Sequence, residues 1–105
     1  MDRQPAAYIL ASDRNGTLYV GVTSNLLGRV DQHRAKRTDG FTKRYGIARL
    51  VWFEMHEVME TAIRREKQLK NWRRAWKIAL IEDSNPRWRD LAEDLGFDPL
   101  PSSRT

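Results

Sequence analysis

Leu18-Tyr19-Val20-Gly21-Val22-Thr23 runs straight into Ser24-Asn25 and on to Arg29 and His33, and this stretch constrains the chain more than any other. Its first six residues alternate, so Leu18, Val20 and Val22 face one side of a strand while Tyr19, Gly21 and Thr23 face the other. Ser24-Asn25 is a helix N-cap signal. Beyond it Leu26, Val30 and His33 recur at helical spacing, with Arg29 one turn before His33 and on the same face. A strand that presents a tyrosine beside a glycine therefore leads into a helix that presents an arginine and a histidine. That combination has the makings of a site.

Upstream, the short apolar run Ala6-Ala7-Tyr8-Ile9-Leu10-Ala11 is separated from this strand by Ser12-Asp13-Arg14-Asn15-Gly16. Asn15-Gly16 between two strand-like runs predicts a hairpin, because both residues tolerate positive φ. Residues 6–11 and 17–23 then pair antiparallel, and Tyr8 and Tyr19, eleven residues apart, lie on neighbouring strands. Whether they share a face depends on the register. Two tyrosines filling a sheet face is the ordinary outcome, and a functional pair is the alternative. The most hydrophobic run, Ile47 to Met55, reads as a third, central strand, and His56 at its end reads as a surface residue. Together these elements predict an α+β protein with a small three-stranded antiparallel sheet flanked by helices.

Two further segments carry charge. The helix from Leu26 to about Lys36 gives way to a basic loop, Arg37 to Gly46, which holds Phe41, Lys43 and Tyr45. Cations suit phosphate and rings suit bases, so this loop is either a nucleic-acid contact or a solvated connection. Residues 58 to about 72 form a helix whose buried stripe is Met59, Ala62, Ile63, Glu66 and Leu69. A carboxylate in that stripe is costly unless it is paired or binds a metal. Pairing with one of the many arginines is the structural reading of Glu66, and functional use beside Arg29 and His33 is the other. Lys67, Lys70, Arg73, Arg74 and Lys77 follow, interleaved with Trp72 and Trp76. The two tryptophans share a helical face with Ala79 and Leu80 and read as core or a packing seam. A helix over 75–83 precedes Ser84-Asn85-Pro86. Pro86 then starts another helix, with Trp88, Leu91, Ala92 and Leu95 on one face and Gly96 as its stop.

Composition removes several function classes. The chain has no cysteine and two histidines, which excludes a thiol nucleophile and a zinc finger. Neither a P-loop nor a dinucleotide-binding glycine fingerprint is present. There is no 18-residue apolar run and no signal-peptide plan at Met1-Asp2-Arg3-Gln4-Pro5, so the expectation is a cytoplasmic protein without a membrane partner. A net charge of +5 fits a polyanionic partner, although solubility alone explains it equally well. What remains is two Tyr, one Arg, one His and one apolar-face Glu. In kind, these suffice for phosphodiester hydrolysis. An arginine can hold a non-bridging oxygen. One carboxylate with waters and phosphate oxygens suits Mg²⁺. A tyrosine hydroxyl can move a proton if a neighbour lowers its pKa.

In this order and spacing the residues resemble the GIY-YIG nucleases, specifically their small single-domain bacterial branch. Ala6-Ala7-Tyr8 stands where the family has Gly-Ile-Tyr, and Tyr19-Val20-Gly21 where it has Tyr-Ile-Gly. Arg29, His33 and Glu66, followed by Lys67-Gln68-Leu69-Lys70-Asn71-Trp72 and later by Asn85-Pro86-Arg87-Trp88, match the remaining landmarks. The resemblance covers residues 6–80 and implies a Mg²⁺- or Mn²⁺-dependent DNA endonuclease acting in repair or processing. It implies that Tyr8 is the base for the attacking water, Tyr19 its support, His33 its proton acceptor, Arg29 the phosphate clamp and Glu66 the metal ligand. Gly21, Lys43, Tyr45 and Lys70 are expected substrate contacts. The family's asparagine downstream of the glutamate has no counterpart at the usual distance, and Asn71 is the nearest candidate. The expected organisation is an N-terminal arm (1–5), the nuclease domain (6–83), a helical extension (84–96) and a disordered tail (97–105). The alternatives are a catalytically silent nucleic-acid-binding module of the same fold, and a small protein whose basic face docks an acidic partner.

Overall fold

The computed structural model describes residues 4–35 and 46–100, so the expectations for Lys43 and Tyr45 lie outside the described residues. Strands β1 (Ala6–Ala11), β2 (Leu18–Thr23) and β3 (Arg49–Met55) form one antiparallel sheet in the order β2-β1-β3. The central strand is thus β1, and β3 is an edge, contrary to the expectation from hydrophobicity. Every residue of β1 is buried, whereas β3 ends half-exposed at Met55. Length of apolar run is therefore a poor guide to position; what matters is that β1, with three small alanines, is covered on both faces and paired on both edges.

The β1–β2 hairpin forms as expected, but not by a two-residue turn. Residues 13–16 make a wider loop closed by Gly16 N–H to Asp13 O (2.9 Å) and by Ser12 N–H to Thr17 O (3.0 Å). In it Asn15 alone of the Asn-Gly pair takes positive φ, at 56°. Its register pairs Tyr8 with Gly21 and Leu10 with Tyr19.

Helix α1 (Leu26–Arg34) is capped by Asn25, whose side chain accepts from the Gly28 N–H at 3.1 Å. It buries Leu26, Val30 and His33 against one sheet face, with Tyr8, Leu10, Ile47, Leu50 and Ala92. Helices α2 (Met59–Asn71) and α3 (Arg74–Ser84) cover the other face, where Leu69 and Ile81 meet Ala7, Ile9, Ala11, Val20 and Val51. Of the two readings of the tryptophan pair, Trp76 takes the packing seam and not the core: it is 50% exposed and packs edge-on against Trp72 at the α2–α3 corner.

The segment after α3 also departs from expectation. No helix starts at Pro86. Trp88 adopts a left-handed backbone (φ 56°) and inserts fully buried into the α2–α3 side of the core, its indole N–H donating to Glu82 at 2.7 Å. Asn85 holds the bend: its side chain donates to Val51 O and Arg89 O and accepts from the Arg89 N–H. Asp90 accepts from the N–H groups of Leu50 and Ala92 and pairs with Arg34, capping a short 3₁₀ helix (Leu91–Leu95) that ends at Gly96, φ 101°. Side chains that bond backbone in this way compete with helix formation, which is why the apolar spacing misleads here. No helix among the described residues is long and apolar enough to cross a membrane.

Candidate active site

Strand alternation sends Tyr8 to the α1 side of the sheet and its neighbours Ala7 and Ile9 to the opposite side. Across the hairpin, Tyr19 emerges on the same side, and His33 approaches from the last turn of α1. The three rings meet. Tyr8 and Tyr19 centroids are 6.4 Å apart, Tyr8 and His33 6.0 Å, and Tyr19 and His33 5.5 Å, the last two edge-on. The Tyr8 hydroxyl is hydrogen-bonded to His33 Nε2 at 3.2 Å. Two groups able to exchange a proton are thereby joined within the protein.

Gly21 is the cross-strand partner of Tyr8, and a β-carbon there would overlap the Tyr8 ring and hydroxyl. Its role among the described residues is to leave room for the phenol, which explains why a tyrosine and a glycine two residues on must come together. Tyr8 and His33 are buried while Tyr19 is half-buried.

Arg29 is half-buried on α1, one turn before His33, and its guanidinium makes no hydrogen bond or ion pair among the described residues. Glu66 lies on α2 between Ala62 and Leu69, with an 11% exposed side chain. Its partner is Lys70, four residues on, with Nζ 2.6 Å from Oε2; the pairing expected with an arginine goes instead to a lysine at i+4. That bond to Glu66 holds the Lys70 ammonium above its ordinary pKa against the opposing effect of burial, and the charge of Glu66, then that of Tyr19, add to the rise. Asn71 is not drawn into this group; its side chain donates to Lys67 O at the end of α2.

His56 is more engaged than its position at a strand end suggested. Its two ring nitrogens bond Thr61 Oγ1 and Glu54 Oε1, each at 2.8 Å, and Arg65 reaches the same Glu54 oxygen at 3.3 Å while lying over the rings of Trp52 and Trp72. This network ties the start of α2 to β3.

The donor set bears on metal chemistry. Among the described residues no group of three His, Cys, Asp or Glu side chains converges. One nearly buried carboxylate, countered by an exposed lysine, fits a hard cation that keeps most of its waters and takes substrate oxygens, such as Mg²⁺ or Mn²⁺. It does not fit zinc, which needs three or four protein ligands.

The pattern of the GIY-YIG catalytic domain matches residues 4–79. The chain belongs to the GIY-YIG family. Its relatives are small proteins of similar extent. The UPF0213 protein of Staphylococcus aureus strain Mu3 is 31% identical over 83 residues, covering 79% of this chain and 99% of its own length, and that of strain N315 gives the same figures. The solution structure of a UPF0213 protein from Bacillus halodurans has the same fold, with a TM-score of 0.53 at 24% identity, covering 90% of this chain and 99% of that one. The GIY-YIG domain is a nuclease domain whose members generally use a divalent metal. The three rings, Arg29 and Glu66 all fall within the matched span of this GIY-YIG domain.

Proposed function

We propose that this GIY-YIG domain is a Mg²⁺- or Mn²⁺-dependent endonuclease that hydrolyses phosphodiester bonds of DNA, serving repair or processing of DNA. The observation that carries the reading is the buried hydrogen bond from Tyr8 to His33, with Tyr19 against the same imidazole, in a domain of this family. As Tyr8 takes a proton from the attacking water it yields its own to His33 Nε2, so no charge accumulates on the phenol. Tyr19 keeps the imidazole in place. Arg29, whose guanidinium is uncommitted among the described residues, takes a non-bridging oxygen of the scissile phosphate and balances the charge that grows there. Glu66 would hold the divalent ion, which when bound supplies Lewis-acid stabilisation of the leaving oxygen. Lys70 contacts the phosphate backbone, and Gly21 preserves the space Tyr8 needs.

The test is cleavage of end-labelled single-stranded, duplex, nicked and branched DNA with Mg²⁺, with Mn²⁺ and with a chelator. Cleavage that requires the metal supports the reading and identifies the preferred substrate. Salt-sensitive binding to these DNAs with no cleavage under any condition contradicts it and leaves a silent binding module.

A further inference from the structure

Glu66 is nearly buried on the apolar stripe of α2, and a carboxylate left alone there carries a large desolvation cost. Lys70 meets that need from the solvent side: its own side chain is 57% exposed and reaches inward by a flexible four-carbon stem. Lysine is a compact point charge without the fork geometry that would fix it to the carboxylate. The bond is therefore close, single and releasable. A divalent cation bound at Glu66 would compete with the ammonium for the same oxygens, since two cations in contact with one carboxylate repel each other.

Resting on the nuclease reading above, we propose that Lys70 is the resident counter-ion of Glu66 in the metal-free protein, and that metal binding displaces it toward the substrate phosphate. Lys70 is thus a positioning residue: it holds the Glu66 carboxylate paired and aimed before the metal arrives, and then becomes a backbone contact. Metal and DNA consequently support each other's binding, because each removes the ammonium from one place and uses it in another.

Mn²⁺ binding followed by electron paramagnetic resonance on the intact chain, without DNA, tests this in wild type, Lys70→Met, Glu66→Gln and the double variant. Lys70→Met keeps the stem and removes the charge, and Lys70→Gln serves as a second neutral variant at the same exposed position. The expected result is that both neutral variants bind Mn²⁺ about 5- to 150-fold more tightly than wild type, and that Glu66→Gln abolishes this gain. The same variants should bind DNA more weakly, with a log–log salt slope shallower by about one. Unchanged or weaker Mn²⁺ affinity in both neutral variants overturns the proposal, as does an unaltered salt slope. If Glu66→Gln leaves Mn²⁺ binding intact in the wild-type background, the assignment of Glu66 as metal ligand is what fails. That outcome is distinct from a Glu66-dependent Mn²⁺ site that ignores Lys70.

Discussion

The two faces of the sheet are cut from the same strands and both are buried, yet they carry different chemistry. On the α2–α3 face, Ala7, Ile9, Ala11, Val20 and Val51 meet Trp52, Leu69, Ile81 and Trp88 in an apolar layer, where the Trp88 indole N–H donates to Glu82. On the α1 face, the same β1 strand contributes Tyr8, and β2 contributes Tyr19, around the imidazole of His33. A strand period of two separates them: Tyr8 and its neighbours Ala7 and Ile9 point to opposite layers. Both layers hold apolar core, but the α1 layer also hides polar groups that are worth burying only if they bond one another or do chemistry. Glu66 and Lys70 stand apart from both, on the helix that flanks β1 and β2.

Substitutions that separate the two faces should separate the two roles. The largest expected effect is Trp88→Ala, which empties the apolar layer and should cost about 3–5 kcal/mol in denaturant unfolding. Cleavage per folded molecule should stay near wild type; a comparable loss of turnover in the folded fraction would show that the layers are not separable. Tyr8→Phe is its mirror image. It removes one hydroxyl, should lower turnover about 100- to 10,000-fold, and should cost stability only about 1 kcal/mol. Equal, large losses of both would make the phenol a structural group.

Gly21→Ala sharpens the comparison further, since it acts on Tyr8 without touching its chemistry. Displacing the ring should cost about 1–3 kcal/mol and should lengthen the Tyr8–His33 contact, visible as a shift of the His33 imidazole resonances. An unchanged imidazole signal would mean that the ring yields without cost to the bond. The smallest effect is at the flank. Because the folded-state pKa of Lys70 lies above the ordinary lysine value of 10.5, the Glu66–Lys70 pair stabilises the fold fully below that pH. Its contribution disappears as pH rises through the higher folded value. Thermal melts from about pH 9 to 12 should show a slightly flatter alkaline decline in Lys70→Met than in wild type.

Much of this was legible in the sequence because it is local. The alternation of Leu18 to Thr23, the Asn25 cap and the spacing of Leu26, Val30 and His33 are decided within a few residues of chain, and each forms as read. So is the stripe that buries Ala62, Glu66 and Leu69. The rest depended on distant contacts. That β1 and not β3 is central follows from which edges are paired, and hydrophobicity along one strand carries no information about its neighbours. Trp88 enters the core through a left-handed turn held by Asn85, so its apolar spacing with Leu91 and Ala92 imitated a helix that does not form. The Glu66 partner was within reach, since a glutamate four residues before a lysine on one helix is a known favourable pair.

The most direct measurement is metal-dependent DNA cleavage by folded Glu66→Gln beside wild type, with DNA binding measured on the same preparations. Glu66→Gln keeps the side chain's shape and removes its charge. Wild type that cuts with Mg²⁺ or Mn²⁺, and a variant that still binds DNA but does not cut, is the predicted result. A folded Glu66→Gln protein that cuts as fast as wild type would contradict the account, because catalysis would then not pass through the α2 carboxylate.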